Sequence, residues 1–239
     1  MSNLQQNIAS ILERIETATQ FAQRDKYDIT LMAVSKTRTA EEINQAATLG
    51  LTCFGENYLQ EATDKISALQ NLSLEWHFIG PLQSNKTRSV AENFSWVHSV
   101  DRLKIAQRLN DQRPADLDPL NICLQVNIDE EPSKSGLVVN EVKQIALTVS
   151  KLPNLRLRGL MAIPKSRQGL QAQREPFKKL RLLRDEINIE LDNSQKLDTL
   201  SMGMSDDIEA AIYEGATIVR VGTGIFGPRH NRDYRDYRD

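Results

Sequence analysis

The chain has 239 residues, 26% charged and 40% apolar, with 11 glycines and 8 prolines; this composition excludes whole-chain disorder, collagen-like repeats and a disulfide-stapled miniature. Thirty Lys and Arg against 32 Asp and Glu leave a net charge of −2, so no global positive field exists to hold nucleic acid. Cys53 and Cys123 have neither Cys nor His at ligand spacing beside them, which argues against a disulfide framework or a zinc motif and leaves two small buried hydrophobes. No basic-then-apolar leader opens the sequence, and no apolar run approaches the roughly 18 residues of a membrane span. The expected compartment is the cytoplasm, with neither membrane nor nucleic acid as a partner.

In chain order, Leu4, Ile8, Ile11, Leu12 and Ile15 recur at helical spacing and predict an opening amphipathic helix that needs a surface to lie on. Residues 29–34 form the first apolar run, 39–49 the helix after it and Gly50 its C-cap, which makes one βα unit. Further strands are predicted at 51–54, 74–79, 96–99, 120–128, 155–161, 197–202 and 217–221, and seven of the eight strands are followed by a predicted helix. Continuous apolar strands alternating with helices mean an α/β fold with a parallel sheet covered on both faces. Eight such units in about 210 residues fit a (β/α)8 barrel, with a doubly wound open sheet as the alternative. Without an internal repeat or a linker the expectation is one domain over 1–229, and the Arg-Asp-Tyr run of 230–239 reads as a solvated tail.

In a barrel, catalytic and binding groups sit at strand C-termini. Lys36 follows the first strand in Ala-Val-Ser-Lys-Thr and reads either as a surface ammonium or as a Schiff-base lysine needing partial burial to free its amine. Gly222, Gly224 and Gly227 match G-x-G-x-x-G, but the run lies near the C-terminus with no βαβ unit around it, which rejects a dinucleotide site. Those glycines read as a backbone phosphate cradle or as a tight turn. Asp206 and Glu209 read as a capping box, Ser201 as a hydroxyl at a strand end, and Ser205 as no nucleophile, since the elbow's last glycine is missing. His77 and His98 read as satisfied interior imidazoles, and with His230 they form no metal motif. Asn57 is a mouth residue or a helix N-terminal polar group, and Asn85, Lys86 and Arg88 are anion ligands or solvated side chains.

Seven stretches, taken together, carry a family resemblance: Ala-Val-Ser-Lys36, Phe-Gly-Glu-Asn57, Trp-His-Phe-Ile-Gly-Pro-Leu-Gln-Ser-Asn-Lys86, Ser-Lys-Ser-Gly136, Arg-Gly-Leu-Met161, Leu-Ser-Met-Gly-Met-Ser-Asp-Asp207 and Val-Arg-Val-Gly-Thr223. In this order they closely resemble the pyridoxal phosphate homeostasis family, from the first helix to about residue 229. The resemblance implies a single-domain barrel of the alanine racemase N-terminal type, with the opening helix as an addition. It implies that Lys36 holds pyridoxal 5′-phosphate (PLP) as an internal aldimine, that Arg220 faces the pyridine nitrogen, and that Gly222 and Thr223 bind the phosphate through backbone amides. Ser201 is implied as a hydroxyl ligand, Asn57 as a ring-side contact, and Gly203 as a further backbone contact.

An arginine stays protonated and discourages protonation of the ring nitrogen, which weakens the ring as an electron sink. Racemases of this type add a tyrosine base from a second domain, for which this chain has no evident room, so holding and releasing the cofactor suits the residues better than turnover. The implied role is PLP homeostasis and amino-acid and keto-acid balance without committed catalysis. PLP-dependent apoenzymes are the candidate recipients, and a monomer is expected. Arg38 stands where a lysine would offer a second amine, so hand-off through a neighbouring lysine would fall to Lys134 or Lys86. Two other functions compete: a slow PLP-dependent racemase using His77 or a tyrosine as base, and a cofactor-free Schiff-base aldolase.

Overall fold

The chain closes a cylinder by pairing each strand with the next in parallel and the last with the first. The structure, a computed structural model, describes residues 2–228. The strands are β1 (Thr30–Val34), β2 (Cys53–Glu56), β3 (Glu75–Phe78), β4 (Trp96–Val100), β5 (Leu120–Gln125), β6 (Leu155–Met161), β7 (Thr199–Ser201) and β8 (Ile218–Val221). Closure sets Thr30 beside Ile218 and Met32 beside Arg220, so the open sheet does not apply. The helices after the opening α1 (Asn3–Phe21) are α2 (Ala40–Thr48), α3 (Leu59–Ala68), α4 (Thr87–Asn93), α5 (Leu103–Gln112), α6 (Val139–Val149), α7 (Leu170–Glu190), α8 (Ile208–Tyr213) and α9 (Thr223–Phe226). The eighth strand therefore also has its helix, a single turn formed by the stretch where the sequence predicted none.

Period-two alternation splits the strands between two cores. Leu31, Ala33, Phe54, Ile122, Leu160 and Val219 face outward against Ile43, Ala62, Leu109 and Phe177 of the helices. Met32, Cys53, Trp96, Cys123, Met161 and Ile218 fill the barrel interior as a separate cluster. Both cysteines are buried and unpaired, and burial pushes both thiols up. No helix among the described residues is long and apolar enough to cross a membrane.

Local chemistry fixes the ends of the elements near the mouth. Thr39 and Glu42 close a capping box on α2, at 3.2 Å and 2.8 Å, and Gly50 takes the left-handed conformation just past its end. The opening helix buries Ile8, Ile11, Ile15 and Ala18 against α8 and α9, while Leu12 points to solvent at 46% exposure. Polar contacts seat it and the segment after it: Asn7 Nδ2 to the Ile225 carbonyl at 2.9 Å, Arg14 to Glu209 at 2.7 Å and 2.8 Å and to the Ser205 carbonyl at 2.9 Å, and, just past the helix, Arg24 to the Ile212 carbonyl at 3.0 Å. The Asp206–Glu209 capping box does not form. Asp207 occupies the N-cap of α8 and turns back to accept the Met204 amide at 2.6 Å, while Glu209 is held by Arg14. The segment 230–239, with His230, lies outside the described residues.

Candidate functional site

At the C-terminal mouth, the ends of β1, β6 and β8 and the segments that follow β1, β2, β3, β6, β7 and β8 enclose a cavity of about 210 Å³. Its polar groups come from Lys36, Arg38, Asn57, Ser205, Arg220 and Thr223, with Gly222 as exposed backbone; Val34, Ile79, Met161, Ile163 and Met204 supply the apolar wall. Five of the six residues expected to hold a cofactor meet here: Lys36, Asn57, Arg220, Gly222 and Thr223.

The sixth, Ser201, lies beneath the floor. It is fully buried, and its hydroxyl accepts a hydrogen bond from Arg220 Nη1 at 2.8 Å and lies 2.8 Å from His98 Nδ1. Ser205 lines the cavity in its place. The sequence weighed Ser205 only as a nucleophile; its position follows from the loop that Asp207 ties to Met204 and that Arg14 Nη1 grips through the Ser205 carbonyl at 2.9 Å. Gly203 sits in the left-handed region, where its carbonyl accepts the Arg220 amide at 2.9 Å. His77, Lys86 and Lys134 do not line the cavity, and both lysines are exposed.

Lys36 is half-buried in a turn fixed on both sides. On one side, Ser35 Oγ donates to Glu56 Oε1 at 2.6 Å, and the Ser35 carbonyl accepts from Lys65 Nζ at 2.8 Å. On the other, the Thr37 amide donates to Glu61 Oε1 at 2.6 Å, with Thr37 at φ 63°, a conformation a β-branched residue rarely adopts. Lys65 also pairs with Glu56 at 2.8 Å and with Glu61 at close range, so a buried Lys–Glu–Glu cluster holds the lysine's turn. Burial pushes Glu56 up to about 7 against the pull of Lys65 and Ser35. Glu61 and Lys65 stand four residues apart on α3, and both are buried.

Arg220 is buried and held at two of its three guanidinium nitrogens, by Ser201 and by the Ala162 carbonyl at 2.9 Å from Nη2. Burial pulls it down to about 10, against Asp207, so it remains a cation at neutral pH. Asn57 approaches so closely under the Gly80 turn that a Cβ on Gly80 would stand 2.1 Å from the Asn57 carbonyl oxygen. Its side-chain Oδ1 is buried without a hydrogen-bond partner in the protein, an uncommon and costly state for an amide. Arg38, in the turn after β1, bonds the segment after the neighbouring strand β8, at the Gly227 carbonyl at 2.6 Å, and packs over the Phe226 ring.

An amine, a fixed guanidinium, an unsatisfied amide and a backbone turn against an apolar wall fit a flat, anionic, aromatic aldehyde such as PLP. Comparison with known proteins points the same way. The sequence model of the alanine racemase N-terminal domain matches residues 6–230. A pyridoxal phosphate homeostasis protein of Pseudomonas aeruginosa is 57% identical over 229 residues, covering 96% of this chain and 97% of that one. The protein of that name from Escherichia coli K12 is 50% identical over 232 residues, covering 96% and 98%. PipY of Synechococcus elongatus, solved with PLP bound, superposes with a TM-score of 0.82 at 34% identity, covering 94% of this chain and all of that one. The chain belongs to the pyridoxal phosphate homeostasis protein family, built on the alanine racemase N-terminal barrel.

Proposed function

We propose that the cavity holds pyridoxal 5′-phosphate, with Lys36 supplying the amine for a Schiff base to its aldehyde, and that the protein serves cytoplasmic PLP homeostasis as a single subunit. The observation that carries this reading is the convergence of Lys36, Arg220 and the unpartnered Asn57 Oδ1 in one cavity. When bound, the cofactor supplies an aldehyde for a primary amine and a ring able to draw electrons from an attached amino acid.

The residues around it restrain that second capacity. Arg220 can only donate, so it serves a ring nitrogen only while that nitrogen is an unprotonated acceptor. Ser201 and the Ala162 carbonyl hold the guanidinium in place, so Ser201 acts on the cofactor through Arg220. The amides of Gly222 and Thr223, at the start of a helical turn where no intrahelical acceptor exists, and the Ser205 hydroxyl are the phosphate donors. Among the described lining residues there is no imidazole, phenol or carboxylate to exchange a proton with a substrate carbon, and His77 is enclosed in the barrel. That supports a holding role, with amino-acid and keto-acid balance as its consequence and PLP-dependent apoenzymes as recipients, over a slow racemase.

The test is retention of PLP after saturation and desalting, together with solvent deuterium incorporation at the α-carbon of amino acids by the loaded protein. One PLP per chain and exchange no faster than with free PLP are expected. Loss of PLP on desalting, or exchange well above the free cofactor, would overturn the proposal.

A further inference from the structure

From Arg220 in the cavity lining, a line of side chains that do not themselves line the cavity runs through the barrel beneath it. Arg220 Nη1 lies 2.8 Å from Ser201 Oγ, Ser201 Oγ 2.8 Å from His98 Nδ1, His98 Nε2 2.8 Å from His77 Nδ1, and His77 Nε2 2.9 Å from Glu75 Oε2. Arg220, Ser201, His98 and His77 are buried, whereas the Glu75 side chain is 48% exposed at the start of β3, the end of the barrel opposite the cavity.

The two ends fix the direction of every bond between them. A guanidinium only donates and a carboxylate only accepts. Glu75 therefore requires a proton on His77 Nε2. A neutral His77 then offers its Nδ1 lone pair, which takes the proton of His98 Nε2. His98 Nδ1 in turn accepts the Ser201 hydroxyl proton, leaving the Ser201 lone pairs for Arg220. Both imidazoles are neutral in this scheme, and burial, with Arg220 adding to it at His98, pulls both His77 and His98 down.

We propose that Glu75, His77, His98 and Ser201 are positioning residues for Arg220, forming a one-directional hydrogen-bond chain from the cavity floor to a carboxylate at the far mouth, with both histidines as Nε2–H tautomers. Each donor in such a chain polarises the next, so the distant carboxylate steadies both the orientation and the charge of the guanidinium. The far end is itself anchored. Trp96 Nε1 donates to Glu75 Oε1 at 3.1 Å, and the Trp96 ring stacks on His77 at 5.3 Å with 8° between planes. Cys53 Sγ, 3.3 Å from His77 Nε2, completes a Cys–Glu–His group whose ligand atoms lie within 4.8 Å, and a zinc ion is the competing occupant. Zinc would need the His77 Nε2 lone pair, which the chain commits to a proton, and a thiolate where burial favours the thiol.

The chain itself is independent of the PLP assignment, but its effect on a bound cofactor rests on that reading, so the experiment has two arms. In the first, the ¹⁵N-labelled protein without PLP gives long-range ¹H–¹⁵N correlations of the imidazoles at neutral pH. Protonated Nε2 and bare Nδ1 at both His77 and His98 are expected. An Nδ1–H or an imidazolium at either position would overturn the proposal, as would uptake of one Zn²⁺ per chain that is lost in Cys53→Ser. In the second, Glu75→Ala is expected to weaken PLP binding three- to tenfold and to shift the absorption of the bound cofactor. Glu75→Gln, which keeps an acceptor oxygen, is expected to restore most of both; a purely structural loss would not follow the acceptor. Parental affinity and spectrum in Glu75→Ala would overturn the proposal. A parent protein that binds no PLP would refute the proposed function and leave the decision on the chain to the first arm.

Discussion

Replacing Lys65 with Met tests whether the buried cluster beside Lys36 holds the site's turn. The ammonium donates to the Ser35 carbonyl and Glu56 at 2.8 Å each and to Glu61, while being 5% exposed itself. Its loss leaves Glu56, which has no exposure, and Glu61, at 7%, without their cation. Removing one member of a buried pair costs about 3–5 kcal/mol, because the remaining charge stays uncompensated. At about 2.1 cal/mol/K per residue, the unfolding entropy of 239 residues is about 0.5 kcal/mol/K, so Tm should fall by about 6–10 °C.

The deficit also has a pH signature. Glu56 is already raised to about 7 by burial, and without Lys65 it moves further up. A carboxyl whose folded value exceeds its unfolded one binds its proton on folding, so its contribution is full at low pH and is lost as pH rises through the folded value. The parent can ionise Glu56 against Lys65, whereas the variant cannot, so the deficit should grow from pH 5 to pH 8. Denaturant unfolding at both pH values measures it. Adding Glu56→Gln to Lys65→Met should recover at least about 1 kcal/mol at pH 8, since an amide needs no counter-charge. A loss below about 1 kcal/mol, or the same loss at both pH values, would refute the reasoning.

Gly80→Ala forces a methyl to within 2.1 Å of the Asn57 carbonyl oxygen; about 1–3 kcal/mol of stability and a weaker grip on PLP should go together, and binding at parental affinity would contradict the packing argument. Ser205→Ala removes a lining hydroxyl at a half-exposed position and should raise the Kd for PLP severalfold while Tm stays within about 1 °C, read by fluorescence titration and calorimetry. Arg14→Ala frees the Ser205 carbonyl and Glu209 on a partly exposed surface, so calorimetry should show a stability loss of about 1 kcal/mol or less, and titration a larger effect on PLP binding.

The barrel was legible because each strand is a short apolar run and each crossover carries helical periodicity, both properties of contiguous residues. Strand limits were less so: β7 pairs only over Thr199–Ser201 where a longer run was expected, and β2 extends through Glu56, a charge that reads as the end of a strand. Glu56 is tolerated there only because Lys65, from the following helix, meets it. The mouth residues could be named through the family resemblance, because strand ends converge by construction. The line from Glu75 to Arg220 could not, since its members lie on β3, β4, β7 and β8 and meet only when the cylinder closes. In sequence Ser201 reads as the hydroxyl ligand and Ser205 only as a rejected nucleophile; the Asp207 turn and the reach of Arg14 from a helix almost 200 residues away bring Ser205 to the cavity instead.

The most direct measurement of the central claim is borohydride reduction of the PLP-saturated protein, followed by peptide mapping by mass spectrometry, with Lys36→Ala alongside. The account predicts one reduced pyridoxyl phosphate adduct per chain, on the peptide containing Lys36, and none at that peptide in the variant. An unmodified Lys36 peptide, or an adduct spread over exposed lysines such as Lys86 and Lys134, would contradict it.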